Sequence, residues 1–223
     1  MFRQSWLNRC FLLACLLLPA AVLADSFFSE DAASAEAIRI GTGDPLAGKK
    51  KVKSENCQEC HGANGISSSP SFPKLAGQYA DYIVKQLRDF QSGRRKHPVM
   101  TAMADGLTED DLLDIAAYFS SNPIMQGEGA GSSPLAMDIF TRGDLARNIL
   151  PCQSCHGEAG KGKSTPTETR PVIGGQHRNY LREQLRNWRS GERSNSPDGV
   201  MNIIAKSLSD TEIDALSNYI SGL

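Results

Sequence analysis

Cys57-Gln58-Glu59-Cys60-His61 is a C-x-x-C-H stretch, and Cys152-Gln153-Ser154-Cys155-His156 repeats it in the second half of the chain. On a helical turn, positions i, i+3 and i+4 share one face, so the two thiols and the imidazole of each copy point the same way. Two thiols at this spacing meet the two vinyl groups of a porphyrin, and the adjoining imidazole comes to lie under its iron, which makes the pattern the attachment signature of c-type haem. One copy alone also suits half a zinc site or a redox dithiol. A zinc site built from both cysteine pairs would leave both histidines, and the methionines downstream of them, without a role. The sequence therefore predicts two covalent haem c groups. Cys57, Cys60, Cys152 and Cys155 are their attachment points, and His61 and His156 are iron ligands.

Working outward from the motifs, the chain repeats itself. Pro73-Lys74-Leu75-Ala76-Gly77-Gln78 returns as Pro171-Val172-Ile173-Gly174-Gly175-Gln176. The segment from Tyr82 to Gly93 returns as Tyr180 to Gly191, with Ile83, Leu87 and Phe90 matched by Leu181, Leu185 and Trp188 at helical spacing. Thr108 and Ser209 read as N-caps of a last helix in each copy, with a capping box expected in the second, where Glu212 stands three positions on. A first helix is expected after Gly43-Asp44-Pro45, burying Leu46 and Val52. No stretch alternates as a strand does. The predicted fold class is all-α, in two halves that each wrap one ring. Such a half has too little apolar chain to stand alone, and the bound ring supplies the missing core. The domains read as 41–123 and 135–223, joined by a Gly-, Ser- and Pro-rich linker, 124–134.

The repeat also selects the sixth ligand of each iron. Met100 and Met103 compete in the first half. Met100 precedes Leu107 by the same seven positions that separate Met201 from Leu208, whereas Met103 aligns with Ile204, which cannot bind iron. Met100 and Met201 are the expected ligands. His97 is a competitor without a counterpart in the second half. Pro73 and Pro171 follow their histidines at similar distance, and a proline carbonyl there can accept the Nδ1 proton of the ligand or simply make a turn. Histidine on one side and a soft thioether on the other raise the potential and leave no open position on the iron, which points to one-electron transfer rather than to catalysis.

Composition agrees with a soluble protein: 22% charged, 40% hydrophobic and a net charge of −1 over 223 residues. Nothing in that balance draws nucleic acid or a membrane surface. Residues 1–24 read as a secretory leader, with Arg3 and Arg9 before an apolar run and a small residue, Ala24, at the cut. Polar, alanine-rich 25–40 reads as a mobile tail. Cys10 and Cys15 would leave with the leader, so every remaining cysteine belongs to a haem motif. Export also fits haem attachment, which takes place outside the bacterial cytoplasm. Arg94-Arg95-Lys96, just before Met100, reads as a charge that helps set the first haem's potential, and one basic stripe invites a partner reading: Arg178, Arg182, Arg186, Arg189 and Arg193. The stripe is read first as a solvated face and second as a docking surface for an acidic redox protein.

With these features the chain resembles the dihaem cytochrome c4 family over roughly residues 43–223. The resemblance is carried by both C-x-x-C-H motifs, Phe72-Pro73-Lys74-Leu75-Ala76-Gly77-Gln78, Met100-Thr101-Ala102-Met103, Ala116-Ala117-Tyr118-Phe119 and Gly174-Gly175-Gln176-His177. It implies two tandem class I cytochrome c domains related by a pseudo-two-fold axis. It implies a periplasmic carrier, loosely associated with the membrane, that passes electrons from a quinol-oxidising complex toward terminal oxidases. The iron ligands carried over are again His61 with Met100 and His156 with Met201. Arg170-Pro171-Val172-Ile173 departs from the family's Phe-Pro-Lys-Leu pattern and bears on local packing. The alternative is an electron-accepting subunit of a periplasmic dehydrogenase, as in flavocytochrome-type sulfide dehydrogenases. A dihaem peroxidase would need an openable iron, which two methionine caps argue against, and no small-molecule substrate is expected.

Overall fold

The structure is a computed structural model and describes residues 41–127, 129, 133–165 and 167–223. The expected leader and tail, and part of the expected linker, lie outside these residues.

In the first half, α1 (Pro45–Ser54) starts at Asp44, whose side chain caps the Leu46 amide, with proline in the first turn. It crosses α5 (Glu109–Ser121) backbone to backbone, because Gly48 has no side chain there; a Cβ would lie 1.9 Å from the Asp114 carbonyl oxygen. The buried face of α1 runs through Gly48 and Val52. Leu46 stands about 200° round the helix from Gly48 at 100° per residue. It is 72% exposed, contrary to the sequence reading. Between these two helices come the one-turn α2 (Cys57–His61), the amphipathic α3 (Ala80–Gln91) and α4 (Pro98–Asp105). Val52, Ile83, Leu87, Phe90, Leu112 and Phe119 form the core.

The second half repeats this order with α6 (Pro134–Arg142), α7 (Cys152–His156), α8 (Arg178–Ser190), α9 (Val200–Lys206) and α10 (Asp210–Ser221). Its core joins Ile139, Phe140, Ile149, Leu181, Leu208, Ile213 and Leu216. Capping boxes close both α5 and α10: Thr108 pairs with Asp111, and Ser209 with Glu212. The first of these extends the expectation, since the shorter Asp111 carboxylate also reaches the cap backbone, at 2.9 Å. One small hairpin was not foreseen: β1 (Lys163–Ser164) pairs antiparallel with β2 (Thr169–Arg170). Two residues a side are too few for alternation to register in a sequence. The fold is otherwise helical, as the sequence reading expects.

The halves meet along a seam with reciprocal bonds. The Gln78 side chain donates to the Val172 carbonyl and accepts from the Val172 amide, both at 2.9 Å. The Gln176 side chain donates to the Lys74 carbonyl at 2.9 Å and accepts from the Lys74 amide at 2.8 Å. Gln78 and Gln176 are repeat partners, and so are Lys74 and Val172. Residue i of one half thus meets residue j of the other in both directions, which is the signature of a two-fold contact. Met125, in the expected linker, is buried and accepts from Gln176 Nε2 at 3.6 Å.

Candidate functional site

Each C-x-x-C-H motif folds as the single helical turn its spacing demands, and the loop after it is pinned from both ends. Gly65 takes φ +80° and its carbonyl accepts the Leu75 and Ala76 amides at 2.7 and 3.1 Å. Gly160 repeats this with Ile173 and Gly174 at 2.8 and 2.9 Å. A Cβ on either glycine would come within 2.7 Å of the facing amide nitrogen, so both places need glycine. The clamp brings the next proline back under the histidine. The distance from His61 Nδ1 to the Pro73 carbonyl oxygen is 2.9 Å, and from His156 Nδ1 to that of Pro171 it is also 2.9 Å.

A carbonyl only accepts, so Nδ1 carries the proton and Nε2 keeps its lone pair for a metal. Burial holds both imidazoles below their ordinary pKa, more than the carbonyl bonds raise it, and they stay neutral. Sequence reasoning left the prolines undecided between turn and hydrogen-bond acceptor; the geometry makes them acceptors. The chemistry of this donor set fits a haem c: a neutral, oriented imidazole beside two thiols on one face of a turn.

Burial pushes Cys57 up, and raises Cys152 to about 11. Among the described residues, no three His, Cys, Asp or Glu side chains converge on a common point.

Cys57, Met100, Leu75 and Leu107 all pack against the first core, and Cys152, Ile173 and Ile204 against the second. Met100 lies on α4 and is half-buried, whereas Met103 is 38% exposed. His97 serves as the N-cap of α4, its Nδ1 accepting the Met100 amide at 3.3 Å. Met201, on α9, is half-buried, and its amide donates to Ser196 Oγ at 3.2 Å.

The basic runs sort differently from the sequence reading. Arg189 pairs with Asp210 at 2.6 Å, and Arg182 and Arg186 lie 3.9 and 3.7 Å from Asp214. Arg193 leaves the expected solvated face altogether: it is 7% exposed and stacks on Trp188. It enters a polar knot in the seam together with Arg95, which stacks on Phe90. Arg95 donates to Gln86 of its own half at 2.8 Å, and to Tyr180 and Gln184 of the other half at 3.0 Å each. Arg193 donates to Gln184 of its own half at 2.7 Å, and to Tyr82 and Gln86 of the other at 3.1 Å each. Sequence reasoning missed this knot. The signal was there: Tyr82, Gln86 and Arg95 recur unchanged as Tyr180, Gln184 and Arg193.

Comparison with known proteins follows the same outline. The cytochrome c family model matches residues 46–123 and again 148–223. The chain is 41% identical to a cytochrome c4 of Thiocapsa roseopersicina over 184 residues, 81% of this chain and 93% of that protein. It is 34% identical to a thiosulfate dehydrogenase electron acceptor of Stutzerimonas stutzeri, covering 92% of this chain and 94% of that one. Among solved structures, reduced cytochrome c4 from Pseudomonas stutzeri superposes with a TM-score of 0.75 at 39% identity, covering 82% of this chain and all of that one.

Proposed function

Because the chain belongs to the cytochrome c4 family, and so transfers electrons through two covalently bound haem c groups without being an enzyme, we propose that it is a periplasmic one-electron carrier between respiratory complexes. In this reading, residues 1–24 are a leader cut after Ala24. Residues 41–123 and 135–223 each hold one haem, through Cys57 and Cys60, and through Cys152 and Cys155. The irons are bound by His61 with Met100 and by His156 with Met201. The observation that carries it is the pair of matched 2.9 Å contacts from His61 and His156 Nδ1 to proline carbonyls. Such a bond fixes the ring plane and makes the imidazole a stronger donor.

The bound haem supplies an iron that cycles between two charge states. The polypeptide does the rest. It keeps both imidazoles neutral and oriented, supplies a thioether as second ligand and surrounds the ring with apolar side chains. A site closed on both sides changes little when an electron arrives, and that suits a carrier. Among the described residues no helix is long and apolar enough to cross a membrane, and membrane association in this reading is peripheral.

The donor and acceptor are proposed as a quinol-oxidising complex and a terminal oxidase. A dehydrogenase is the second reading, and it is favoured by the relative whose name is thiosulfate dehydrogenase electron acceptor. Pyridine haemochrome assay and mass spectrometry of the exported protein are expected to give two covalent haems. Stopped-flow reduction by each class of donor then separates the pathways: rapid reduction by a thiosulfate-oxidising or sulfide-oxidising enzyme, with none by the quinol-oxidising complex, would reverse the preference.

A further inference from the structure

The β1–β2 hairpin breaks the repeat. From the ligand histidine to the proline that accepts its proton, the second half runs 15 positions and the first half 12, and the extra length goes into this hairpin. The hairpin folds back on the haem-attachment turn α7. The Gly162 amide donates to the His156 carbonyl at 2.6 Å. Lys163 Nζ donates at 2.8 Å to the Ser154 carbonyl, one of those that a helix leaves open at its end. Lys163 stands opposite Arg170, which directly precedes Pro171, whose carbonyl holds the His156 ring. Like charges facing each other across a strand pair repel. Here they are drawn apart, Lys163 to the turn and Arg170 to Glu168. Among the described residues Lys163 has no ion-pair partner. The Glu168 side chain is 50% exposed against 21% for Arg170, so water screens the carboxylate more than the cation. The first half has neither cation: Glu59 stands where Ser154 is, and Phe72 where Arg170 is. The charge of Arg170 reaches the ligand. Burial is the main cause that lowers the His156 pKa and Arg170 adds to it, whereas burial acts on His61 without such a charge.

We propose that Lys163 and Arg170 set the reduction potential of the second haem and hold it above that of the first, so that an electron entering the first half passes downhill to the second. The inference rests on the dihaem reading above. An added electron makes a haem more negative, and a fixed cation beside it stabilises that form. Two cages with the same ligand set are thereby made unequal by side chains outside it.

The test is potentiometric titration of the intact dihaem protein and of Lys163→Gln, Arg170→Gln and Lys163→Arg. Glutamine still donates a hydrogen bond but lacks the charge, which separates an electrostatic role from a structural one. Met201→Ala assigns the two steps, because it displaces that of the second haem and leaves the other in place. The higher step of the unaltered protein is expected to belong to the second haem. Each glutamine variant is expected to lower that step by about threefold in the oxidised-to-reduced ratio at fixed poise, about 28 mV for a one-electron couple, and to move the other step less. Lys163→Arg, which keeps the charge, is expected to leave it in place. A higher step that belongs to the first haem, glutamine variants that leave the second potential unmoved, or a Lys163→Arg potential as low as that of Lys163→Gln would each overturn the proposal. Where a glutamine variant does not fold, Glu168→Gln decides. It removes only the exposed carboxylate beside Arg170, and the second potential must rise; an unmoved or lowered one rejects the role of the hairpin. Fewer than two haems in the unaltered protein would instead sink the dihaem reading, a separate outcome.

Discussion

At the scale of single residues, the decisive fact is which ring nitrogen carries a proton. The proline carbonyls settle it for His61 and His156, and the half-buried methionines complete the proposed ligand sets. Met100→Ala and Met201→Ala are each expected to lower one of two potentials and to open that iron to carbon monoxide, visible as a shifted Soret band. Met103→Ala is expected to do neither, and if it does, the register argued from Leu107 and Leu208 is wrong. A second residue-scale effect concerns acid stability. Hydrogen bonds from Arg147 hold the Glu212 carboxyl at about 2, from 4.5. The unfolded chain therefore binds this proton more readily than the folded one. The contribution to stability is complete above pH 4.5 and is lost as pH falls toward 2. Thermal melts of Glu212→Gln against pH are expected to lack that part of the acid slope.

Elements are held at distances that only particular residues allow. The crossing of α1 on α5 is the clearest case, because Gly48 meets the Asp114 carbonyl with no room for a methyl group. Gly48→Ala is expected to push the helices apart and to cost about 1–3 kcal/mol, the usual penalty of overpacking. Denaturant unfolding followed at the Soret band measures it, and a loss below a few tenths of a kcal/mol would show that the crossing can slide. The clamps at Gly65 and Gly160 act similarly, but what they hold is a carbonyl under an imidazole, so their effect passes from backbone geometry to the proposed metal site.

For the whole molecule, the seam decides whether two small haem units behave as one. Four hydrogen bonds of the Gln78 and Gln176 side chains tie each half to the backbone of the other. Gln78→Leu leaves the Val172 amide and carbonyl buried without partners, at about 1–3 kcal/mol for each unmet group. The expected result is a denaturant transition that splits in two, one step for each half, where the unaltered protein shows one. A single shifted transition would mean that apolar contacts around Met125 suffice to keep the halves together. The same seam gathers the arginine pair, which makes it an electrostatic feature as well as a mechanical one.

The sequence alone determined the cofactor, the helical class and the duplication. These depend on local spacing, and a turn of helix converts spacing into geometry without help from the rest of the chain. The iron ligands could be argued from it too, but only because two copies set a common register. Tertiary structure decided the rest. The roles of Pro73 and Pro171 depend on a loop closing through Gly65 and Gly160. The burial of Arg193 depends on a second half lying against the first. Leu46 faces outward because Gly48, rather than a large side chain, makes the contact with α5. Each of these outcomes comes from groups far apart in the chain, whose meeting no local pattern encodes.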